Sequence, residues 1–184
     1  MSAVPISAPP VSTPPKTFPP IRHRASKNAA PSPALPRVRG QRKRAATAIV
    51  YCEANFGGID GKTANGLVRH SEKYKILAVI DSRHAGLDAG VVLGEATKDI
   101  PVCRDLADAL SHAGGIPEYF IFGMAPASGL LSSHERGLVL EAIDLGMNVV
   151  NGLHEFLNDD PVFVAASAAK NVHILDVRKP RAKK

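Results

Sequence analysis

The sequence predicts an α/β fold: a Rossmann-like three-layer sandwich with a mostly parallel sheet of about six strands. From Ala46 onward, short apolar runs rich in β-branched residues alternate with stretches of helical periodicity. Continuous apolar runs are typical of strands buried on both faces. Their alternation with helices predicts parallel strands joined by right-handed crossovers.

Six runs are predicted strands, and all are short. They are TAIVYC at 47–52, ILAVI at 76–80, IPV at 100–102, YFIF at 119–122, NVV at 148–150 and VHIL at 172–175. Ligands of such sheets bind at the carboxyl ends of the strands. We therefore expect a site among the loops that follow the strands, at 53–61, 81–90, 123–129 and 151–160.

Capping residues mark the helices between the strands. A helix over about 62–70 is predicted to turn Ala64, Leu67 and Val68 inward. Asp105 is a predicted N-cap, and so is Asp159 or Asp160 ahead of Pro161. Ser132 and Glu135 form a capping-box signature. The inward faces of the last two helices are predicted to include Leu138, Ala142 and Leu145, and Phe163, Ala166 and Ala169.

Charge and proline content divide the chain. Residues 1–44 contain ten of the fifteen prolines and nine Lys/Arg with no Asp or Glu. Such a segment cannot bury enough apolar surface to fold, so we expect a disordered, Pro-rich basic tail. A transit peptide or an overlong gene start would also explain it. A Rossmann-like domain is predicted at 45–178 and a second basic tail at 179–184.

The positive charge lies mainly in these tails, because residues 45–177 carry 9 Lys/Arg against 17 Asp/Glu. A sequence pI near 9.5 therefore does not predict specific nucleic-acid binding. No apolar run approaches the roughly 20 residues that span a bilayer. Cys52 and Cys103 are isolated, which favours buried thiols in a cytoplasmic protein over a disulfide or a metal site.

The segment FGGIDGKT at 56–63 resembles two phosphate-binding motifs and matches neither. Phe56 stands where both the P-loop and the G-x-G-x-x-G fingerprint need their first glycine. The segment nevertheless follows a predicted strand and opens a predicted helix, a setting that favours an anion. Gly57, Gly58, Gly61 and Lys62 are candidate cofactor-binding residues. Alternatively, the glycines only permit a tight turn and Lys62 is solvated.

Two further loops supply candidates for the same cofactor. Asp81 stands at the end of the second strand, where dinucleotide-binding Rossmann domains place an acidic residue that bonds a ribose hydroxyl. Arg83 could bind an additional phosphate on the ribose, as in NADP or coenzyme A. Alternatively, Asp81 only caps the segment that follows it, and Arg83 is an ordinary surface residue. Gly123 and Pro126, in GMAPASG, are expected to lie against the ligand.

His154 is the candidate catalytic acid or base, because its loop lies on the predicted site side. HEFLNDD at 154–160 lacks the second histidine of a zinc motif, since Asn158 stands in its place. No metal site is predicted.

Five ordered segments, FGGIDGKTANGLVRH, AVIDSRHAGLDAG, GMAPASG, NGLHEFLNDDP and ILDVRKP, resemble the N-terminal domain of a family long labelled domain of unknown function 1611. The resemblance covers about residues 46–180. The family is described as D-glutamate N-acetyltransferase-like, with a larger C-terminal domain that carries a true P-loop. We expect that domain to be absent here, since the chain stops at Lys184.

The resemblance implies the cofactor-binding half of an N-acetyltransferase, inactive alone if both domains are needed. Its expected ligand is a small anionic molecule, acetyl-coenzyme A or another adenine nucleotide. Two alternatives stay open. One is an NAD(P)-binding oxidoreductase-type domain, and the other is a non-catalytic module that pairs with a separately encoded P-loop subunit or with itself.

Overall fold

The structure is a computed structural model that describes residues 44–126 and 128–180. The predicted tails, at 1–44 and 179–184, lie outside the described residues except for residues 44, 179 and 180. Within the described part of the chain, no helix is long and apolar enough to cross a membrane.

One six-stranded sheet forms the centre of the domain, and every strand pairs in parallel. The strands are β1 Ala46–Tyr51, β2 Tyr74–Ile80, β3 Val102–Cys103, β4 Tyr119–Phe122, β5 Asn148–Asn151 and β6 Ile174–Asp176. Their spatial order is 3-2-1-4-5-6, which is the order of a doubly wound Rossmann sheet. The predicted fold class is confirmed.

Five helices connect the strands: α1 Lys62–His70, α2 Ala89–Val92, α3 Leu106–Ala113, α4 Ser133–Asp144 and α5 Pro161–Lys170. The predicted caps form. Ser132 and Glu135 make both bonds of a capping box, and the Asp105 and Asp160 side chains accept from backbone N–H groups of α3 and α5. Short 3₁₀ turns occupy Ser82–His84 and Leu157–Asp159.

The core lies on both faces of β1 and its neighbours. Ala48, Ile49 and Val50 are completely buried, as expected for a central parallel strand covered by helices on each side. Phe120 of β4 and Phe163 of α5 are also fully buried.

Two predicted inward positions are wrong. Leu145 is 37% exposed and Ala169 is exposed. The buried face of α4 instead runs through Glu135, Val139, Ala142 and Ile143, and Leu145 follows the last residue of that helix. On α5 the buried stripe is narrow, with Phe163 as its buried residue.

Five of the six strands differ by one or two residues at an end from the predicted bounds, and β4 agrees with them. The third strand starts at Val102 rather than residue 100, because Pro101 has no N–H for a ladder and forms an isolated antiparallel bridge with Asp88. The sixth starts at Ile174 rather than 172, since α5 ends at Lys170 and the next residue, Asn171, is left-handed with φ 52°.

Candidate ligand-binding site

The order of the strands reverses between β1 and β4, so the loops that follow them define the expected binding edge. These loops are bonded to each other. The Ala125 N–H donates to the Asp60 carbonyl at 3.0 Å, and the Ala64 N–H of α1 donates to the Gly123 carbonyl at 2.9 Å. The binding edge is therefore divided into a part beside β2 and a part beside β5.

A side chain of α1 holds the glycine turn after β1. Asn65 is buried; its Oδ1 accepts from the Gly57 N–H, and its Nδ2 donates to the Gly58 carbonyl, both at 3.0 Å. Gly57 has φ 79°, which favours glycine. The Gly57 N–H is thus occupied within the protein. The start of α1 has no side-chain cap, and of its first N–H groups that of Ala64 donates to the Gly123 carbonyl.

Gly61 and Gly123 allow close packing within the protein. A Cβ on Gly61 would lie 2.2 Å from the Asn55 carbonyl oxygen, and one on Gly123 would lie 2.5 Å from Val50 Cγ1. These contacts draw α1 close to the ends of β1 and β4.

Asp81 joins the turn after β2 to the turn after β1. It is completely buried. Its Oδ1 accepts from the N–H groups of Ala54 and Arg83, at 3.0 and 3.1 Å, and its Oδ2 lies 2.8 Å from His84 Nδ1. The two predicted turns therefore meet at one edge of the sheet, but the carboxylate faces the protein.

A cleft of about 390 Å³ opens between these two turns, and we call it the glycine-loop cleft. Gly57, Gly58, Asp60, Arg83 and His84 contribute to its lining. Arg83 is exposed, and its Nη1 donates to the Ala54 carbonyl at 3.4 Å. The cleft combines two basic side chains with one carboxylate.

A second cleft of about 480 Å³ lies beside β5, and we call it the His154 cleft. Pro126, Ser128, His154 and Arg178 contribute to its lining. Arg178 Nη1 lies 2.7 Å from His154 Nε2. Because a guanidinium only donates, His154 Nε2 is the acceptor of this contact.

Asp176 anchors the loop that carries His154. Its oxygens accept from the Asn151 amide at 2.8 Å, from the Asn158 amide at 2.8 Å and from the Leu157 and Asn158 N–H groups. Burial opposes ionisation of this carboxyl, but the hydrogen bonds outweigh it and hold its pKa below the usual value. Asn158, which replaces a zinc-motif histidine, is therefore a structural residue.

Arg136 of α4 fixes the same loop from the other side. Its Nη1 lies 2.7 Å from Glu155 Oε1, its Nη2 bonds Asp160, and its guanidinium lies 4.8 Å from the centre of the Phe163 ring. Glu155 also accepts from the Leu131 N–H at 2.7 Å, so the loops after β4 and β5 are tied together.

The predicted site residues fall into four groups. Gly57, Gly58 and Arg83 line the glycine-loop cleft, and Pro126 and His154 line the His154 cleft. Gly61, Asp81 and Gly123 support these surfaces from within, and Lys62 is exposed at the start of α1.

Sequence reasoning missed Asn65 and Arg178 as site residues. Asn65 belongs to no ligand-binding sequence motif. Arg178 lies two residues after the end of β6, and its place after the carboxyl end of a strand was the available signal.

Comparison with known proteins gives a consistent result. A family model described as domain of unknown function (DUF1611_N), Rossmann-like domain, matches residues 82–180. The crystal structure of a DUF1611 family protein from Anabaena variabilis is similar, with a TM-score of 0.66 and 30% identity, over 75% of this chain and 38% of that one.

Two other proteins show weaker similarity. A D-glutamate N-acetyltransferase from a Pseudoalteromonas species is 38% identical over 61 residues, which are 33% of this chain and 18% of that enzyme. A 1-deoxy-D-xylulose 5-phosphate reductoisomerase from Zymomonas mobilis, solved with NADPH, covers 73% of this chain and 39% of that one at 16% identity, with a TM-score of 0.44. The chain thus spans well under half the length of each relative.

Proposed function

Because the chain belongs to the DUF1611_N family of Rossmann-like domains, we propose that it binds an anionic, adenine-containing cofactor in the glycine-loop cleft. The observation that carries this proposal is the position of that cleft. It lies at the carboxyl ends of β1 and β2 in a sheet of order 3-2-1-4-5-6, where dinucleotide-binding sheets hold their ligands.

The charges around this cleft suit phosphate. Arg83 lines it, and Lys62 is exposed at the start of α1, beside N–H groups that lack a side-chain cap. Guanidinium groups and helix N-termini both favour phosphate oxygens. Asp81 contributes indirectly, because its buried carboxylate fixes the Ala54 and Arg83 N–H groups.

We further propose that the cofactor is acetyl-coenzyme A and that the chain is the cofactor-binding part of an N-acetyltransferase for an acidic D-amino acid. The curated D-glutamate N-acetyltransferase supports this choice. Bound acetyl-coenzyme A would supply the acetyl group: the amine would form an amide bond with it, the thioester bond would break, and coenzyme A would leave as the thiol. Arg178 would bind a substrate carboxylate, which would free His154 Nε2 to accept a proton from the attacking amine.

Calorimetric titration of the full 184-residue chain tests the binding proposal. We expect acetyl-coenzyme A to bind, and its affinity to fall about tenfold or more in Arg83→Ala and Lys62→Ala. Arg69→Ala is the matched control, because Arg69 ends the same helix in an ion pair with Glu95. Unchanged affinity in Arg83→Ala and Lys62→Ala would overturn the proposal.

Asp81→Ala is a poor test of ligand contact, because it leaves the Ala54 and Arg83 N–H groups without their acceptor. Parallel titrations with NADPH and ATP distinguish the other ligands. Preference for NADPH would favour an NAD(P)-binding oxidoreductase-type domain, and the strand order is the observation that keeps this candidate open.

A second measurement separates binding from catalysis. Acetylation of D-glutamate by the full chain is followed by mass spectrometry. His154→Ala is the test variant, and His173→Ala, which changes another exposed histidine, is the control. Loss of product in His154→Ala alone supports the acid–base role. Binding without turnover would fit a cofactor-binding part that needs a P-loop domain for catalysis, or a non-catalytic module that pairs with a P-loop subunit or with a second copy.

A further inference from the structure

A group of three metal-binding side chains lies at the end of β3, away from both clefts. Cys103 ends β3, and Asp108 and His112 lie four residues apart on α3. One ligand atom from each falls within 4.8 Å of the others. We propose that Cys103, Asp108 and His112 bind a zinc ion.

The chemistry of the three donors fits zinc. Thiolate, imidazole and carboxylate are its ordinary ligands, with bonds of about 2.0–2.3 Å that place tetrahedral ligand atoms about 3.3–3.6 Å apart. Asp108 Oδ1 and His112 Nε2 are already 3.5 Å apart. The wider separations in the group require a side-chain movement of about 1 Å.

A backbone N–H group orients the Asp108 carboxylate for metal binding. The Arg104 N–H donates to Asp108 Oδ2 at 2.9 Å, which leaves Oδ1 facing His112. Asp108 and His112 also line a cleft of about 280 Å³ with Gly86, Leu87, Pro101 and Arg104. This cleft gives water access as a fourth ligand.

The electrostatic field at the thiol has the sign that attracts a cation. Burial, followed by the negative charges of Asp108 and Asp105, raises the pKa of Cys103 to about 11. The free thiol is therefore protonated at neutral pH. On zinc binding, the sulfur–hydrogen bond breaks, the proton passes to solvent, and bonds from zinc to sulfur, oxygen and nitrogen form.

Such an ion would pin α3 to the end of β3, a strand of two residues. The sequence offers no zinc motif at this place, because Cys103 stands alone and the turn at Arg104 brings it to the helix pair. An ion pair between Asp108 and His112, spaced i and i+4 on one helix, is the simpler role that the test must exclude.

Cobalt(II) titration of the reduced full chain tests the proposal, because a cobalt–thiolate bond produces a charge-transfer absorption. We expect one equivalent to produce this band and zinc to displace it. The band should vanish in Cys103→Ser and need about tenfold more cobalt in His112→Ala. It should persist in Cys52→Ser and in His173→Ala, which remove the other cysteine of the chain and an exposed histidine.

His112 is exposed, so His112→Ala keeps the test informative if Cys103→Ser fails to fold. Absence of a thiolate band in the wild type would overturn the proposal. So would a band that survives Cys103→Ser or is unchanged in His112→Ala.

Discussion

Two glycines near the start of α1 have opposite surroundings. A Cβ on Gly61 would meet the Asn55 carbonyl oxygen at 2.2 Å and Cys52 Sγ at 2.9 Å, whereas a Cβ on Gly66 would meet nothing within 4 Å. The first contact is with backbone, which cannot rotate away. Gly61 is thus fixed by packing, and Gly66 is an ordinary helix glycine.

We therefore predict opposite effects for the same substitution. Gly61→Ala should lower the free energy of unfolding by about 1–3 kcal/mol, as overpacking does. Gly66→Ala should raise it by about 0.5–1 kcal/mol, because alanine loses less backbone entropy in a helix. Urea denaturation followed by circular dichroism measures both. Equal stability of the two variants would show that the turn after β1 yields to the added methyl group.

Single residues also show why the candidate site was only partly predictable. The glycine turn, Arg83 and His154 were located because they follow predicted strands. The inward orientation of Asp81 was not predictable, since it depends on N–H groups of Ala54 and Arg83 that converge only in the fold. Arg178, the last residue of the predicted domain, was not a candidate site residue, although it contacts His154.

At the scale of elements, β6 stabilises the loop that carries His154. The Asp176 carboxylate accepts hydrogen bonds from Asn151, Leu157 and Asn158, and Leu157–Asp159 form a 3₁₀ turn. Because these donors favour the ionised form over the effect of burial, the pKa of Asp176 is lowered in the folded protein.

This lowered pKa predicts a pH dependence of stability. The contribution of Asp176 is complete above its unfolded pKa of about 3.9 and is lost as pH falls through its folded pKa. We expect the free energy of unfolding to decline below about pH 5, and less steeply in Asp176→Asn. That variant should also be less stable at pH 7 by roughly 1–3 kcal/mol, since an amide nitrogen replaces an acceptor.

Chemical denaturation from pH 3 to pH 7 measures this dependence. Asp99→Asn is the control, because Asp99 is exposed and its left-handed backbone, φ 57°, tolerates asparagine. Identical pH profiles for wild type and Asp176→Asn would show that other carboxyl groups account for the decline.

The helices differed in how well their positions could be predicted from the sequence. The N-termini of α3 and α4 were marked by Asp105 and Ser132, because capping is local chemistry. α2 has four residues and no periodicity to detect. It begins where the Asp88 side chain accepts from the N–H groups of Gly90, Lys98 and Ile100, a set of contacts that spans a whole loop.

At the scale of the whole molecule, the strand order explains the position of both clefts. β1 and β4 are the two central strands, and the loops that follow them are joined by the hydrogen bond from Ala125 to Asp60. The glycine-loop cleft lies on the β2 side of this junction and the His154 cleft on the β5 side. A ligand that bridges the two would cross the end of the most buried part of the sheet.

The same order predicts how the domain opens. β1 and β4 are hydrogen-bonded on both sides, whereas β3 and β6 are edge strands with one partner each. Leu175 of β6 is 45% exposed, while Ile49 of β1 is fully buried. Local opening should therefore cost least free energy at the edges and most at the centre.

We predict that amide hydrogen exchange of the full chain is slowest in peptides that cover 46–51 and 119–122, intermediate at 148–151 and faster at 174–176. Mass spectrometry after timed exposure to heavy water measures this order. The two clefts would then rest on the slowest-exchanging strands, so that their walls move while their base stays fixed. Exchange at 174–176 as slow as at 46–51 would contradict the prediction and indicate that β6 is covered by a further partner strand.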